Sequence, residues 1–227
     1  NNATNDGKID FVGSSTTIDG GYALVLDAGT ADVDLDGVIG GTTGLSALTV
    51  SADQIVLSDI GDGDTVGVTG ATALTAVTDI TFGGTTYKAN QQTYTAAAGQ
   101  NFDMTGGAAT TFTSSADDIT FATGTISLGN SSDLVINSTN GDVDVSAGVR
   151  GTSSENLTIN AGTGSVTIGQ IGSADEINTV ALTGTSGGVT LGGDITTSDG
   201  SGNTVTITGP VTLSSAVTID SNNATND

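Results

Sequence analysis

Seven aspartates mark the places where this sequence comes closest to metal chemistry. Asp32, Asp34 and Asp36 lie in DVDLDG (32–37), Asp59, Asp62 and Asp64 in SDIGDGD (58–64), and Asp10 precedes Asp34 by 24 positions. Carboxylates in Gly-rich turns suit calcium, a hard cation that takes about six to eight oxygen ligands. DVDLDG matches the opening of an EF-hand loop, but that loop needs a bidentate Glu at its twelfth position, which here is Thr43. The corresponding DVDV at 142–145 lacks the third acid and the Gly. The Gly-rich calcium nonapeptide of RTX solenoids does not occur either. What remains is a looser expectation: calcium shared between neighbouring carboxylates among Asp10, Asp32, Asp34, Asp36, Asp59, Asp62 and Asp64, and not required for folding.

Other chemistry has little footing. The 227 residues include no His, no Cys and no Trp, so nucleophilic triads are excluded. Paired carboxylates can hydrolyse glycosides, but 25 acids spread along the chain single out no pair. The chain therefore reads as a non-enzyme. Its only bases are Lys8, Lys88 and Arg150, and its net charge is −22. Nucleic acid and anionic membrane surfaces need Lys and Arg, so neither is an expected partner. No apolar run is long enough for a membrane span. A flat Thr array could bind ice, but outward columns mixing Asp, Thr and Val argue against a lattice match.

These side chains must be positioned by strands. Thr and Val favour strands, while Gly, Asp and Asn disfavour helix interiors. Apolar-x-apolar triplets start at Ile9, Val33, Ile55, Ile80, Phe102, Ile119, Val143, Val166, Val189 and Val211. In a strand the first and third residues of each share one face, so they point inward and the middle residue outward. The triplets predict a parallel β-helix of about ten coils with about 22 residues per coil, the ten triplets forming one side. Triplets at 24–26, 48–50, 134–136, 157–159 and 205–207 supply a second side. Stacking places Asp10 about 5 Å from Asp34. Ten coils span roughly 48 Å. The 22 net negative charges over that length approach one per ~2 Å, close to the charge density of duplex DNA. Condensed cations that stiffen or bundle the rod are expected.

Repetition runs at two scales. NNATND occupies 1–6 and recurs at 222–227, a period of 221 residues, as in a tandem array. Within it, KIDFV (8–12) matches DITFA (118–122), and LVLDAGTADVDL (24–35) matches LVINSTNGDVDV (134–145). QIVLSDIG (54–61) matches SVTIGQIG (165–172), and ITFGG (80–84) matches VTLGG (189–193). The expected organisation is a first half-repeat at 1–110, a second at 111–221, and the start of the next unit at 222–227. Half-repeats of this length also suit strings of immunoglobulin-like sandwiches, calcium-stiffened extenders among them. The finer period and the absence of Trp favour the solenoid.

The wording LTINAGTGSVTIGQIG, followed by VALTGTSGGVTLGGDITTSDGSGNTVTITGPVTL, resembles repeats of filamentous-haemagglutinin-like giant bacterial surface proteins. The resemblance is clearest over 118–219. It implies a parallel β-helix, a place outside the bacterial cell or on its surface, and a part in adhesion, matrix or filament formation. The expected role is a rigid acidic rod whose partners are further copies of itself, in tandem or end to end. The alternative is an adhesin repeat that binds carbohydrate or a partner surface. Tyr87 and Tyr94, with the two glutamines between them, are its one candidate patch.

Overall fold

The computed structural model describes residues 6–223 apart from 64–65, 108, 130–131, 153, 173–174, 200–201 and 203. Among these are 23 short strands and no helix. Every strand pair in the ladders is parallel and joins segments about one turn apart in sequence. This is a β-solenoid, and the antiparallel pairing of an immunoglobulin-like sandwich is absent from the described residues. Val143 and Val166 face each other directly across adjacent strands.

The solenoid has three faces. Face A aligns Ile9, Val33, Ile55, Ile80, Phe102, Ile126, Val149, Ile171, Ile195 and Ile219. Face B follows it in each turn and aligns Ile18, Ile39, Ile60, Tyr87, Phe112, Ile136, Ile159, Leu182 and Ile207. Face C closes the turn with Leu24, Leu48, Thr72, Gln92, Ile119, Val143, Val166, Val189 and Val211. Face A takes nine steps from Ile9 to Ile219, none shorter than that from Val33 to Ile55 and none longer than that from Ile55 to Ile80. The turns are thus slightly fewer and longer than the coils that the triplets predict.

The reason lies in the triplets themselves. The first five, from Ile9 to Phe102, lie on face A, whereas the last five, from Ile119 to Val211, lie on face C. The 17-residue gap between Phe102 and Ile119 is two thirds of a turn, not a short coil. The same displacement runs through the two half-repeats. KIDFV lies on face A and DITFA on face C; the segment at 24–26 lies on face C and that at 134–136 on face B; Ile60 lies on face B and Ile171 on face A. The matched segments are thus offset by four and two-thirds turns.

Alternation and stacking make the core. Inward residues such as Leu35, Ile55, Phe82, Ile136, Ile159 and Val166 are fully buried. Burying each such side chain contributes about 1.5–3 kcal/mol against the cost of ordering the chain. The interior is one continuous column that frays only at its ends, where Ile9, Phe11, Val205 and Ile207 are partly buried. Most corners are turned by Gly and Asp. Gly162 shows why: its φ is +56°, and a Cβ there would meet the Thr139 carbonyl oxygen of the turn below at 2.1 Å. Only Gly tolerates both conditions.

One corner is built differently. The Thr86–Thr95 strand pairs through Thr86, Tyr87 and Lys88 on face B and through Gln92–Thr95 on face C. Inward alternation slips at Asn90 and Gln91, so the strand bends around the corner without leaving the ladder. The interior there holds six rings, with Phe112 stacked on Tyr87 at 4.7 Å and set edge-on to Phe82 and Phe121 at 5.1 Å each.

Candidate functional site

The aspartates settle into two kinds of position. On face A, Asp10 and Asp34 are register neighbours, as stacking predicts. Like charges this close repel, and the Lys8 ammonium lies 3.2 Å from a carboxylate oxygen of each. Lys8 is thus the shared cation of this pair. The outward column continues through Val56, Thr81, Asp103, Ser127 and Arg150. Burial and then the neighbouring Asp79 carboxylate push the Asp103 carboxyl up, with Arg150 and Ser127 acting against them.

At the corners, aspartates fasten one turn to another. Asp59 Oδ1 accepts the N–H groups of Thr85 and Thr86 at 2.7 and 2.8 Å. Asp19 Oδ1 does the same for Thr42 and Thr43, at 2.8 and 3.0 Å. Asp36 Oδ2 accepts from Gly13 N at 2.8 Å, in the turn below. The pattern recurs where an aspartate immediately precedes an inward strand residue. Asp79 accepts from Asn101 N, Asp118 from Asp142 N, Asp133 from Asn156 N, Asp142 from Ser165 N and Asp194 from Thr218 N, all within 2.6–2.8 Å. Each bond spans 22–24 residues, one turn. A corner N–H has no ladder partner, and a carboxylate supplies a charge-assisted bond stronger than a neutral one. Hydrogen bonds from Thr42 and Thr43 hold the Asp19 carboxyl below its ordinary value, and bonds from Thr30 do the same for Asp6.

The seven candidate calcium ligands therefore do not gather. Asp10 and Asp34 share Lys8, Asp36 and Asp59 hold backbone N–H groups, and Asp62 is exposed on another turn. Asp32 precedes the Val33–Leu35 strand, and its carbonyl accepts Ile9 N. Asp64 lies outside the described residues. Among the described residues no three acidic side chains come together in a way that could hold a metal ion. Sequence reasoning passed over Asp19, Asp79, Asp118, Asp133, Asp142 and Asp194. A signal for five of them was present: Asp directly before an apolar-x-apolar or similar strand opening, as in DITF, DLVI, DVDV and DITT.

Glu155 is the one fully buried acid among the described residues. Its carboxylate accepts Thr152 N at 2.6 Å, Ser154 N and Ser154 Oγ at 3.2 Å, and the Thr152 hydroxyl. Burial pushes the carboxyl up, but these bonds outweigh it and hold the group below its ordinary value. The arrangement folds a loop onto itself and turns both carboxylate oxygens toward that loop.

The expected aromatic binding patch is not on the surface. Tyr87 and Tyr94 are completely buried among the rings of Phe82, Phe112 and Phe121. The Tyr87 hydroxyl accepts Gly84 N at 2.9 Å, and the Tyr94 hydroxyl donates to Gln92 Oε1 at 2.9 Å. Burial pushes both phenols well above their usual range. Gln92 is buried as well and donates through Nε2 to the carbonyls of Ala89 and Thr113, at 3.2 and 2.8 Å. Of the expected patch only Gln91 faces solvent. Strict period-two alternation sets Tyr87 and Tyr94, an odd number of positions apart, on opposite faces; both point inward only because the strand slips by one between them.

A shallow cavity lined by Leu35, Asp36, Val56, Leu57, Ser58 and Gly83 opens between turns at the edge of face A. Asp36 is the one titratable group in its lining. No protein-family model, no curated protein and no solved structure matches this chain.

Proposed function

We propose that this chain is a structural segment of an extracellular bacterial fibre or giant surface protein, a rigid acidic rod that serves as stalk, matrix strand or filament. One observation carries the reading: the parallel ladder runs for nine steps from Ile9 to Ile219 around one continuous apolar column. A parallel stack left open on an apolar edge is prone to pair with further strands, and a rod made of such units hides its edges in the next unit. The resemblance to giant surface exoproteins points the same way. The outward Asp, Thr and Asn side chains keep neighbouring rods apart.

The adhesin alternative loses its best support with the burial of Tyr87 and Tyr94. Calcium enters this reading only as a diffuse counterion of the acidic surface. The test is the axial advance of the assembled fibre, measured by electron microscopy. A rod predicts about 45 Å per repeat unit, from turns spaced ~4.8 Å apart. An advance of twice that or more would mean separate beads and would sink the proposal.

A further inference from the structure

We infer that successive repeat units stack with each copy turned by one face, a third of a revolution, relative to the copy below. This rests on the rod reading and adds the register of the joint. The molecule already contains one joint of this kind. Where the second half-repeat begins, Ile119, Thr120 and Phe121 lie over Gln92, Thr93 and Tyr94 of the first half's last long strand. The first half opens on face A with Ile9, Asp10 and Phe11, and its counterpart opens on face C. A second application of the same step moves from face C to face B. It sets Ile9, Asp10 and Phe11 of the next copy over Val205, Thr206 and Ile207.

The spacing along the chain gives the same answer independently. The interval from the first NNATND to the second places Ile9 of a following copy eleven positions beyond Ile219, which lies on face A. Within the structure, the inward residues of face B come nine and eleven positions after Ile171, at Val180 and Leu182, and ten and twelve after Ile195, at Val205 and Ile207. From the same two residues the matching positions on face C, Val189 and Val211, come eighteen and sixteen positions on. A return to face A takes a full turn, as from Ile171 to Ile195. Face C comes as soon as twelve positions on only where the Thr86–Thr95 strand bends around the corner, from Ile80 to Gln92, so beside unbent strands an interval of eleven fits face B.

This register also covers what the end leaves open. Ile9 and Phe11, themselves partly buried, land on the partly buried Val205 and Ile207. The segment around Ile18 then falls on the open Val211–Leu213 strand of face C, and Leu24 falls on Ile219 of face A. Each copy contributes two steps of four and two-thirds turns, so three copies restore the original facing after roughly 135 Å at ~4.8 Å per turn. Any feature of one face, such as the Lys8-bridged aspartates, winds around the fibre with that repeat.

The experiment is a two-unit chain, residues 1–221 followed by the complete 227, which has no native cysteine to interfere. Asp10→Cys in the second copy is combined in turn with Thr206→Cys, Thr212→Cys or Asp220→Cys in the first, one on each face. A disulfide needs Cα atoms about 4.4–6.8 Å apart, which adjacent strands satisfy and different faces do not. Mild oxidation is expected to close the Thr206 pair at least ~10-fold faster than either other pair. Preferential closure of the Thr212 or the Asp220 pair overturns the one-face turn, as does closure of none. X-ray scattering from the same chain separates the two readings. A single rod of doubled length without the Thr206 cross-link leaves the rod proposal standing and removes this one, whereas two flexibly joined bodies remove both.

Discussion

The turns around residues 80–122 and the turns from 134 to 191 solve one packing problem in different ways. The earlier region is filled with rings from Phe82, Tyr87, Tyr94, Phe102, Phe112 and Phe121, and its longest strand bends around a corner. The later region has no aromatic residue; its core is Ile, Leu and Val, its strands are short and in strict register, and Gly and Asp turn its corners. Both stack at the same spacing because the backbone ladder sets the axial rise. What varies is the filling of the interior, rings in one region and aliphatic side chains in the other. Where a strand rounds the corner the interior holds rings, and two column positions of face C become polar, Thr72 and Gln92.

Truncating a ring should therefore cost the most. Phe112→Ala removes contacts to Phe82, Tyr87, Tyr94 and Phe121. It is expected to destabilise by about 3–5 kcal/mol, against about 0.5–1.5 kcal/mol for Ile159→Val in the aliphatic region. Denaturant unfolding of both variants checks the comparison; equal losses would show that the rings are filler. Gln92→Leu comes next, since it leaves the Tyr94 hydroxyl and the carbonyls of Ala89 and Thr113 without their partner. A loss of about 1–3 kcal/mol is expected. Its control is Thr72→Val: the Thr72 hydroxyl is buried and unpaired, so an apolar replacement should be neutral or slightly stabilising.

Gly162→Ala probes the aliphatic region's corners. The left-handed backbone and the 2.1 Å overlap with Thr139 O together predict a loss of about 1–3 kcal/mol, read in the same unfolding assay. The smallest effect belongs to the aspartate bonds of the first turns. Asp6 and Asp19 have folded values below the ordinary 3.8. Their stabilisation is complete above the unfolded value and fades as pH falls through the lower folded one. Asp103, raised by burial, works in the opposite sense. In circular-dichroism melts from pH 5 to pH 2, the gap in Tm between the native chain and Asp19→Asn should narrow to nothing at the acid end. A gap that persists there means that the carboxylate bonds to Thr42 and Thr43 contribute no pH-dependent stability.

Much of the architecture was legible because alternation and parallel stacking are local and repetitive. Each triplet announces an inward pair, and Asp10 and Asp34 fall opposite each other as spacing requires. The site was less legible. Spacing shows which aspartates are near in sequence, but a carboxylate's partner lies a full turn away. Asp59 could not be assigned to Thr85 and Thr86 until the corner existed. Tyr87 and Tyr94 read as a surface pair for a related reason: the slip at Asn90 and Gln91 that turns both inward is set by the bend of one strand.

By itself the sequence determined an all-β, stacked, strongly acidic chain, because side-chain alternation and composition act residue by residue. Only the tertiary structure decided which of three sides each segment occupies. The three faces are chemically alike, and a period of two says whether a side chain points inward without saying toward which wall. A 17-residue gap reads as a short coil until the strands on either side, Phe102 on face A and Ile119 on face C, are seen to belong to different columns.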